Sequence, residues 1–111
     1  MNLSKLSTMK KPNDSACLAF TTKTVGDKWT PRLIFAIASG ECSRFNEIQK
    51  ESGGINPRTL SKRLADLETI GAISKKTDRT NPLRAKYNLT KKGRDLLPIL
   101  KQMATWGEKY L

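Results

Sequence analysis

The chain has 111 residues and a mass of 12.4 kDa, enough for one small domain with at most short tails. Hydrophobic residues make up 37% of the sequence and charged residues 28%, a balance that excludes a disordered or fibrous chain. Lysine and arginine number 21 against 10 acidic residues, so the net charge is +11 and predicts a polyanionic partner, although ribosomal and membrane-surface proteins share this property.

The residue types that are missing exclude several classes of function. The sequence has no histidine, the commonest general base and metal ligand, and Cys17 and Cys42 are too few for a zinc site or a disulfide framework. The longest apolar run, residues 33–38, is far shorter than the ~20 residues of a membrane span, and the first eleven residues lack the apolar stretch typical of a signal peptide. We therefore expect a cytoplasmic protein that is not an enzyme, binds no cofactor or metal, and does not enter a membrane.

The first forty residues predict an arm and two helices. Residues 1–14 are polar, lysine-rich and unpatterned, and we interpret them as an N-terminal arm, with the folded domain at residues 15–111. Apolar residues at 17–25 predict a short helix. Thr30 followed by Pro31 predicts the start of a second helix with Thr30 as its N-cap, and Gly40 predicts its end.

Two helices joined by glycines follow, over about residues 43–70. Ser43 is the predicted cap of the first helix, and Gly53-Gly54 predicts its end. Asn56 is the predicted N-cap of the second helix and Pro57 its first residue, while Ile55 and Leu60 form a predicted hydrophobic staple across that first turn. Apolar residues then recur at helical spacing up to residue 70, before Gly71. Two short helices with a tight glycine turn are typical of a helix-turn-helix.

A basic hairpin and a last helix complete the chain. Residues 72–76 and 84–89 have the pattern of strands and residues 77–82 the composition of a turn, so about 72–89 is a predicted wing. Thr90 is the predicted cap of a C-terminal helix over about 90–111, which Pro98 should break or kink near its start. The predicted fold is mainly α with a small β-hairpin, a winged helix-turn-helix DNA-binding domain.

Several short motifs occur in a fixed order between about residues 17 and 107. They are Gly26-Asp27-Lys28-Trp29, Arg44-Phe45-Asn46-Glu47-Ile48, Leu60-Ser61-Lys62-Arg63-Leu64, Tyr87-Asn88-Leu89-Thr90, Leu97-Pro98-Ile99-Leu100 and Trp106-Gly107. Their order and spacing resemble the HxlR family of winged-helix transcriptional regulators, relatives of the MarR group. The family usually carries Cys-Pro where this chain has Cys17-Leu18. The resemblance implies a DNA-binding regulator that dimerises through its N- and C-terminal helices.

The predicted DNA surface combines the second helix of the motif with the wing. When the apolar stripe is buried, the residues left outside or on the flanks of that helix are Arg58, Thr59, Ser61, Lys62, Arg63 and Thr69. The N-terminal half of such a helix enters the major groove, where arginine and lysine reach guanine O6 and N7. The wing adds cations for phosphates or the minor groove: Lys75, Lys76, Arg79, Arg84 and Lys86. The alternatives are a solvated helix face and a hairpin kept soluble by edge lysines.

The last helix has apolar residues on more than one face, more than a thin domain buries alone. A dimer interface is the predicted use, with Leu100, Met103 and Trp106 facing the N-terminal helix of the partner.

Cys17 has two interpretations. Related regulators use a cysteine at this place to sense electrophiles or oxidants, whereas a free cysteine is more often a small buried hydrophobe.

The predicted function is a sequence-specific DNA-binding transcriptional regulator, specifically a homodimeric repressor on a palindromic operator in double-stranded DNA. Helix 57–70 would enter the major groove and the 72–89 wing would lie on the adjacent backbone or minor groove. Two alternatives stay open: a non-specific architectural DNA-binding protein, for which the charge of +11 suffices, and a thiol-based redox-sensing regulator acting through Cys17. A small-molecule or redox effector is compatible with this function.

Overall fold

A computed structural model describes residues 16–40, 43–81 and 84–111, so the predicted arm at residues 1–14 and Cys42 lie outside the described residues. The elements in these ranges are α1 (Ala16–Val25), α2 (Thr30–Ser39), β1 (Ser43–Arg44), α3 (Phe45–Glu51), α4 (Pro57–Thr69), β2 (Ile73–Lys76), β3 (Lys86–Leu89), α5 (Lys91–Arg94) and α6 (Leu96–Tyr110). The predicted class, mainly α with a small antiparallel sheet, is confirmed.

The three strands form one antiparallel sheet in the order β1-β3-β2. Strands β2 and β3 make the predicted hairpin, pairing Ile73 with Leu89 at one end and Lys76 with Lys86 at the other. Strand β1 adds a short third strand on the far side of β3, with Ser43 opposite Tyr87. The prediction that Ser43 caps a helix is therefore wrong, because its backbone pairs with β3 and α3 begins two residues later.

The second strand of the hairpin also starts later than predicted. The backbone N–H of Arg84 donates to the Asn81 carbonyl at 2.9 Å in a turn, and strand pairing begins only at Lys86. Residues 84 and 85 therefore belong to the connection between the strands.

Helix α4 follows its sequence signals closely. The Asn56 side chain accepts a hydrogen bond from the Arg58 N–H at 2.8 Å, which confirms the predicted N-cap. Ile55 and Leu60 are fully buried in the core on either side of this first turn, as a hydrophobic staple requires. Gly71 has a φ of +81°, the left-handed conformation that ends many helices and that glycine adopts at little cost.

The apolar stripe of α4 lies in one core with α2, the inner face of the sheet and α6. The largest fully buried side chains belong to Leu33, Ile34, Ile37, Ile48, Ile55, Leu60, Leu64 and Ile73. This packing fixes which face of α4 points outward, because the same helix cannot rotate without exposing its leucines.

The C-terminal region contains two helices where one was predicted. Thr90 accepts a hydrogen bond from the Gly93 N–H at 3.2 Å and so caps α5, as predicted, but α5 has only four residues. The break falls at Asp95, before Pro98. Pro98 is the third residue of α6 and has no N–H to donate to the carbonyl of Arg94, the last residue of α5, so the predicted break near the start of the C-terminal helix is confirmed.

Candidate nucleic-acid interface

The outward face of α4 carries the exposed side chains that the sequence predicted. Arg58, Ser61 and Lys62 are exposed and Thr59 is half-buried on the flank. Within the described residues Arg58 forms no ion pair, and it stands in the first turn of the helix. The Lys62 ammonium lies 3.2 Å from the Asp66 carboxylate, an exposed pair one turn apart. Such pairs contribute about 0–1 kcal/mol, so a phosphate can compete for this lysine.

Arg63 has a different environment from the other predicted DNA ligands. Its Nε is buried, lies 3.8 Å from an Asp27 carboxylate oxygen and forms no hydrogen bond. Its Nη1 lies 3.9 Å from the Asp66 carboxylate. The guanidinium therefore points along the flank of α4 toward the start of α2, where it links two helices of the protomer, rather than outward with Arg58 and Lys62.

Asp27 organises the start of α2. One of its carboxylate oxygens accepts hydrogen bonds from the N–H groups of Trp29 and Thr30, both at 2.8 Å, and the other accepts from the Thr30 hydroxyl. The prediction that Thr30 is the N-cap is wrong: Thr30 is the first helical residue, is buried, and acts as a donor. Partial burial alone would raise the pKa of Asp27, but these hydrogen bonds and the Arg63 charge outweigh burial and hold the pKa below its usual value.

Replacing Asp27 with alanine is expected to lower the free energy of unfolding by about 1–2 kcal/mol, because the first N–H groups of α2 lose their acceptor. The pKa of Asp27 is lower in the folded than in the unfolded chain, so its stabilising effect is present above the unfolded value and lost as pH falls through the folded one. Urea unfolding of both proteins should show a constant difference from pH 5 to 8 that shrinks below about pH 4. A difference independent of pH would contradict a role for the carboxylate charge.

The wing presents a set of unpaired cations. All are exposed, and no ion pair joins any of them to a described residue: Lys75, Lys76, Arg79, Arg84 and Lys86. Lys76 and Lys86 are direct cross-strand partners. Like charges in that position destabilise a hairpin, by an amount within the roughly 0.2–1 kcal/mol typical of cross-strand pairs. The cost is relieved when an anion lies over the pair.

The acidic side chain of Asp78, in the hairpin, forms hydrogen bonds within its own turn. Its carboxylate accepts from the Thr80 N–H at 2.8 Å and from the Thr80 hydroxyl at 2.7 Å, and these hydrogen bonds lower the pKa of Asp78. The carboxylate therefore shapes the turn and does not neutralise the lysines of the strands.

The structure adds Arg44 to the candidate surface, a residue that sequence reasoning did not include. It is exposed and pairs with Lys86 across β1 and β3, so that Arg44, Lys86 and Lys76 form one row across the sheet. Arg44 also lines a groove of about 730 Å³ between the wing and the helices α3 and α4, together with Ser61 and Lys75. Arg44 belongs to the motif Arg44-Phe45-Asn46-Glu47-Ile48 noted in the sequence. Its position beside the wing depends on the pairing of β1 with a strand about forty residues later, which the sequence does not reveal.

The C-terminal helix exposes a large apolar face, which includes the predicted Met103 and Trp106 but not Leu100. Leu100 is only 2% exposed and packs in the core of its own protomer, so it is unavailable to an interface. Met103 and Trp106 are 50% and 68% exposed, and Ile99 and Tyr110 extend the same stripe of α6. On α1, Leu18 and Phe20 are also exposed, and so is Cys17. The interpretation of Cys17 as a buried hydrophobe is therefore wrong within the protomer.

No helix in the described ranges is both long enough and apolar enough to cross a membrane.

Comparison with known proteins gives consistent matches. The sequence model of the HxlR-like helix-turn-helix family matches residues 24–111. An uncharacterised HTH-type transcriptional regulator of Halalkalibacterium halodurans is 36% identical over 90 residues, 81% of this chain and 80% of the relative. The uncharacterised HTH-type transcriptional regulator YybR of Bacillus subtilis is 36% identical over 98 residues, 87% of this chain and 78% of the relative.

Solved structures give the same picture. The redox regulator HypR in its reduced form superimposes with a TM-score of 0.76 at 34% identity, covering 85% of this chain and 92% of HypR. A putative MarR-family transcriptional regulator from Porphyromonas gingivalis W83 superimposes with a TM-score of 0.80 at 29% identity, covering 92% of this chain and 99% of that protein.

Proposed function

Because this chain belongs to the HxlR-like helix-turn-helix family and is a transcriptional regulator with a winged helix-turn-helix DNA-binding domain, we propose that it is a homodimeric repressor of a palindromic operator. In this proposal α4 lies in the major groove with Arg58, Thr59, Ser61 and Lys62 toward the bases and phosphates. The cations of the wing, with Arg44, lie on the adjacent backbone or minor groove.

Two observations together support the DNA surface: a cross-strand pair of lysines in the wing that no described acidic residue neutralises, and an exposed arginine in the first turn of α4. Lys76 and Lys86 face each other across the hairpin, and no described residue forms an ion pair with either of them or with Arg58. A polyanion that contacts both elements relieves this repulsion and binds by releasing its counterions.

Selection of bound sequences from a random duplex pool tests the proposal. A sequence-specific regulator should bind the selected duplex at least ~10³-fold more tightly than random duplex at physiological salt. Equal affinities would instead support the alternative of a non-specific architectural protein. A palindromic operator should appear as two inverted half-sites about 34–36 Å apart centre to centre, which is one DNA turn.

The dimer is proposed from the exposed apolar stripe on α6 and the exposed apolar residues of α1. A two-fold dimer built on these faces would present two copies of α4 to the two half-sites. Such a contact removes from water side chains that a monomer leaves exposed, namely Ile99, Met103, Trp106 and Tyr110.

Sedimentation velocity at micromolar concentration should give about twice the chain mass of 12.4 kDa. Trp106→Glu should yield a folded monomer, because Trp106 is exposed in the protomer and a buried charge is costly in an interface. Thr105→Glu is the matched control, since it adds the same charge about 100° around α6, outside the stripe of Ile99, Met103, Trp106 and Tyr110, and should leave the dimer intact. A dimeric Trp106→Glu protein would remove this residue from the interface.

Redox sensing through Cys17 is a second candidate function, favoured by one observation. The Cys17 side chain is exposed on α1 beside Leu18 and Phe20, on the face proposed to meet the partner. The similar protein HypR is described as a redox regulator. An adduct or disulfide at Cys17 would then change the spacing of the two α4 helices.

Operator binding by wild type should fall after treatment with diamide, while Cys17→Ser should keep its affinity. The measurement is a binding titration before and after treatment, with reversal by a thiol reductant. If wild type is insensitive, or if both proteins lose affinity equally, Cys17 is not the sensor.

A further inference from the structure

Helix α4 has two flanks, and the wing covers only one of them. The groove on the wing side is lined by Ser61, Ala65 and Glu68 of α4. A second groove, of about 470 Å³, lies on the opposite flank between α4 and α1, and Lys62, Asp66 and Thr69 line its wall. The outward face of α4 thus stands between the wing and the junction of α1 with α2.

An ion pair connects that junction to α4. The Asp27 carboxylate accepts the Trp29 and Thr30 N–H groups and lies 3.8 Å from Arg63 of α4. On the other side of α4 no such ion pair is formed with the wing by the described residues. The Arg63 contact therefore places the residues that follow Asp27 beside the middle of α4.

Two cations occupy this position. The Lys28 ammonium lies 4.9 Å and the Arg32 guanidinium 5.7 Å from the centre of the Trp29 ring, so both are held by cation–π contacts with one half-buried indole. The Arg32 guanidinium also reaches the turn of the helix-turn-helix, because a Cβ on Gly53 would lie 3.6 Å from it. Both side chains are exposed, and neither forms an ion pair within the described residues.

We propose that Lys28 and Arg32 form a second phosphate-binding site, which contacts the DNA backbone on the flank of α4 opposite the wing. The proposal rests on the proposed function, in which α4 enters the major groove. That groove is about 12 Å wide and has a sugar-phosphate wall on each side, so a helix inside it faces phosphates on both flanks. The wing supplies cations for one wall, and the Lys28–Arg32 site supplies them for the other. Because Trp29 already restrains both side chains, little conformational freedom is left to lose on binding.

The test measures how steeply affinity for duplex DNA falls with salt. Each phosphate contact contributes about 1 to the slope of log affinity against log salt concentration. The double variant Lys28→Gln/Arg32→Gln should therefore lower the slope by about 2, and it should do so equally on two duplexes of unrelated sequence. The charge-conserving variant Lys28→Arg/Arg32→Lys should keep the wild-type slope, and circular dichroism should show both variants folded.

Lys101→Gln/Lys109→Gln is the matched control. It removes the same amount of charge from two exposed lysines of α6. Lys109 also makes a cation–π contact, since its ammonium lies 5.3 Å from the centre of the Tyr110 ring. A slope unchanged in the Lys28/Arg32 variant, or lowered as much in the control, would overturn the second site. Should the glutamine pair not fold, Lys28→Gln alone must lower the slope by about 1.

The wing variant Lys76→Gln/Lys86→Gln separates this inference from the proposed function. If it lowers the slope and the Lys28/Arg32 variant does not, the wing binds DNA and only the second site is wrong. If wild type itself shows no salt-dependent binding to duplex, the proposed function fails and the second site fails with it.

Discussion

Arg58→Ala is expected to weaken operator binding by about 1–3 kcal/mol, roughly 5- to 150-fold. Arg58 is the second residue of α4, is exposed, and within the described residues forms no ion pair that would hold it away from DNA. The Asn56 side chain, which caps the helix, accepts a hydrogen bond from the backbone N–H of Arg58 and not from its side chain, so the substitution leaves the helix intact. Titration of the selected operator and of random duplex gives both affinities.

Arg58→Lys distinguishes the two ways in which Arg58 can act. A lysine keeps the charge for a phosphate but loses the planar pair of donors that fits guanine O6 and N7. If Arg58 reads a base, the lysine variant should lose preference for the operator while it keeps affinity for random duplex. If Arg58 binds only a phosphate, both affinities should stay close to wild type. An Arg58→Ala protein with unchanged affinity on both duplexes would remove Arg58 from the DNA surface.

Gly93→Ala is expected to lower the free energy of unfolding by about 3 kcal/mol, at the upper end of the usual cost of overpacking. A Cβ at this position would lie 2.0 Å from the Ala72 carbonyl oxygen and 3.2 Å from Leu89 Cδ2. The Ala72 carbonyl cannot simply move, because it accepts the Thr90 N–H at 3.1 Å. The clash is therefore with backbone that fixes α5 against the sheet. Thermal unfolding should show a midpoint at least about 10 °C lower.

Gly107→Ala is the control with the opposite expected sign. Gly107 lies inside α6 with no atom within 4 Å of an added Cβ. Alanine should therefore stabilise the protein by about 0.5–1 kcal/mol, because it restricts the unfolded chain and favours the helix. If Gly93→Ala were as stable as wild type, the close approach of α5 to Ala72 would be wrong.

Where neighbouring residues along the chain decide an element, prediction from sequence was mostly accurate; the start of α2 is the exception, because Asp27 and not Thr30 accepts its first N–H groups. Asn56 and Pro57 start α4, Gly71 ends it, and the leucine stripe sets its inward face, all within one stretch of chain. The exposure of Arg58, Ser61 and Lys62 follows directly from that stripe. The hairpin pairing was equally accessible, because its two strands are close in sequence.

Several predictions failed where the deciding contact comes from a distant part of the chain. Ser43 lies in a strand because β3 pairs with it. Leu100 faces inward because α6 begins after a break at Asp95 and then packs on the core, which leaves Ile99, Met103 and Trp106 as the outer stripe.

The sequence by itself determined the class of fold, the outward face of the helix proposed to meet DNA and the excess of positive charge, since periodicity, caps and composition are local or summed properties. Only the tertiary structure decided how the cations are grouped. Arg44 joins the wing through strand pairing, and Lys28 with Arg32 is placed beside α4 by the contacts of Asp27. Such groupings depend on which surfaces pack together, because a cation binds a phosphate through its position in space and not through its place in the chain.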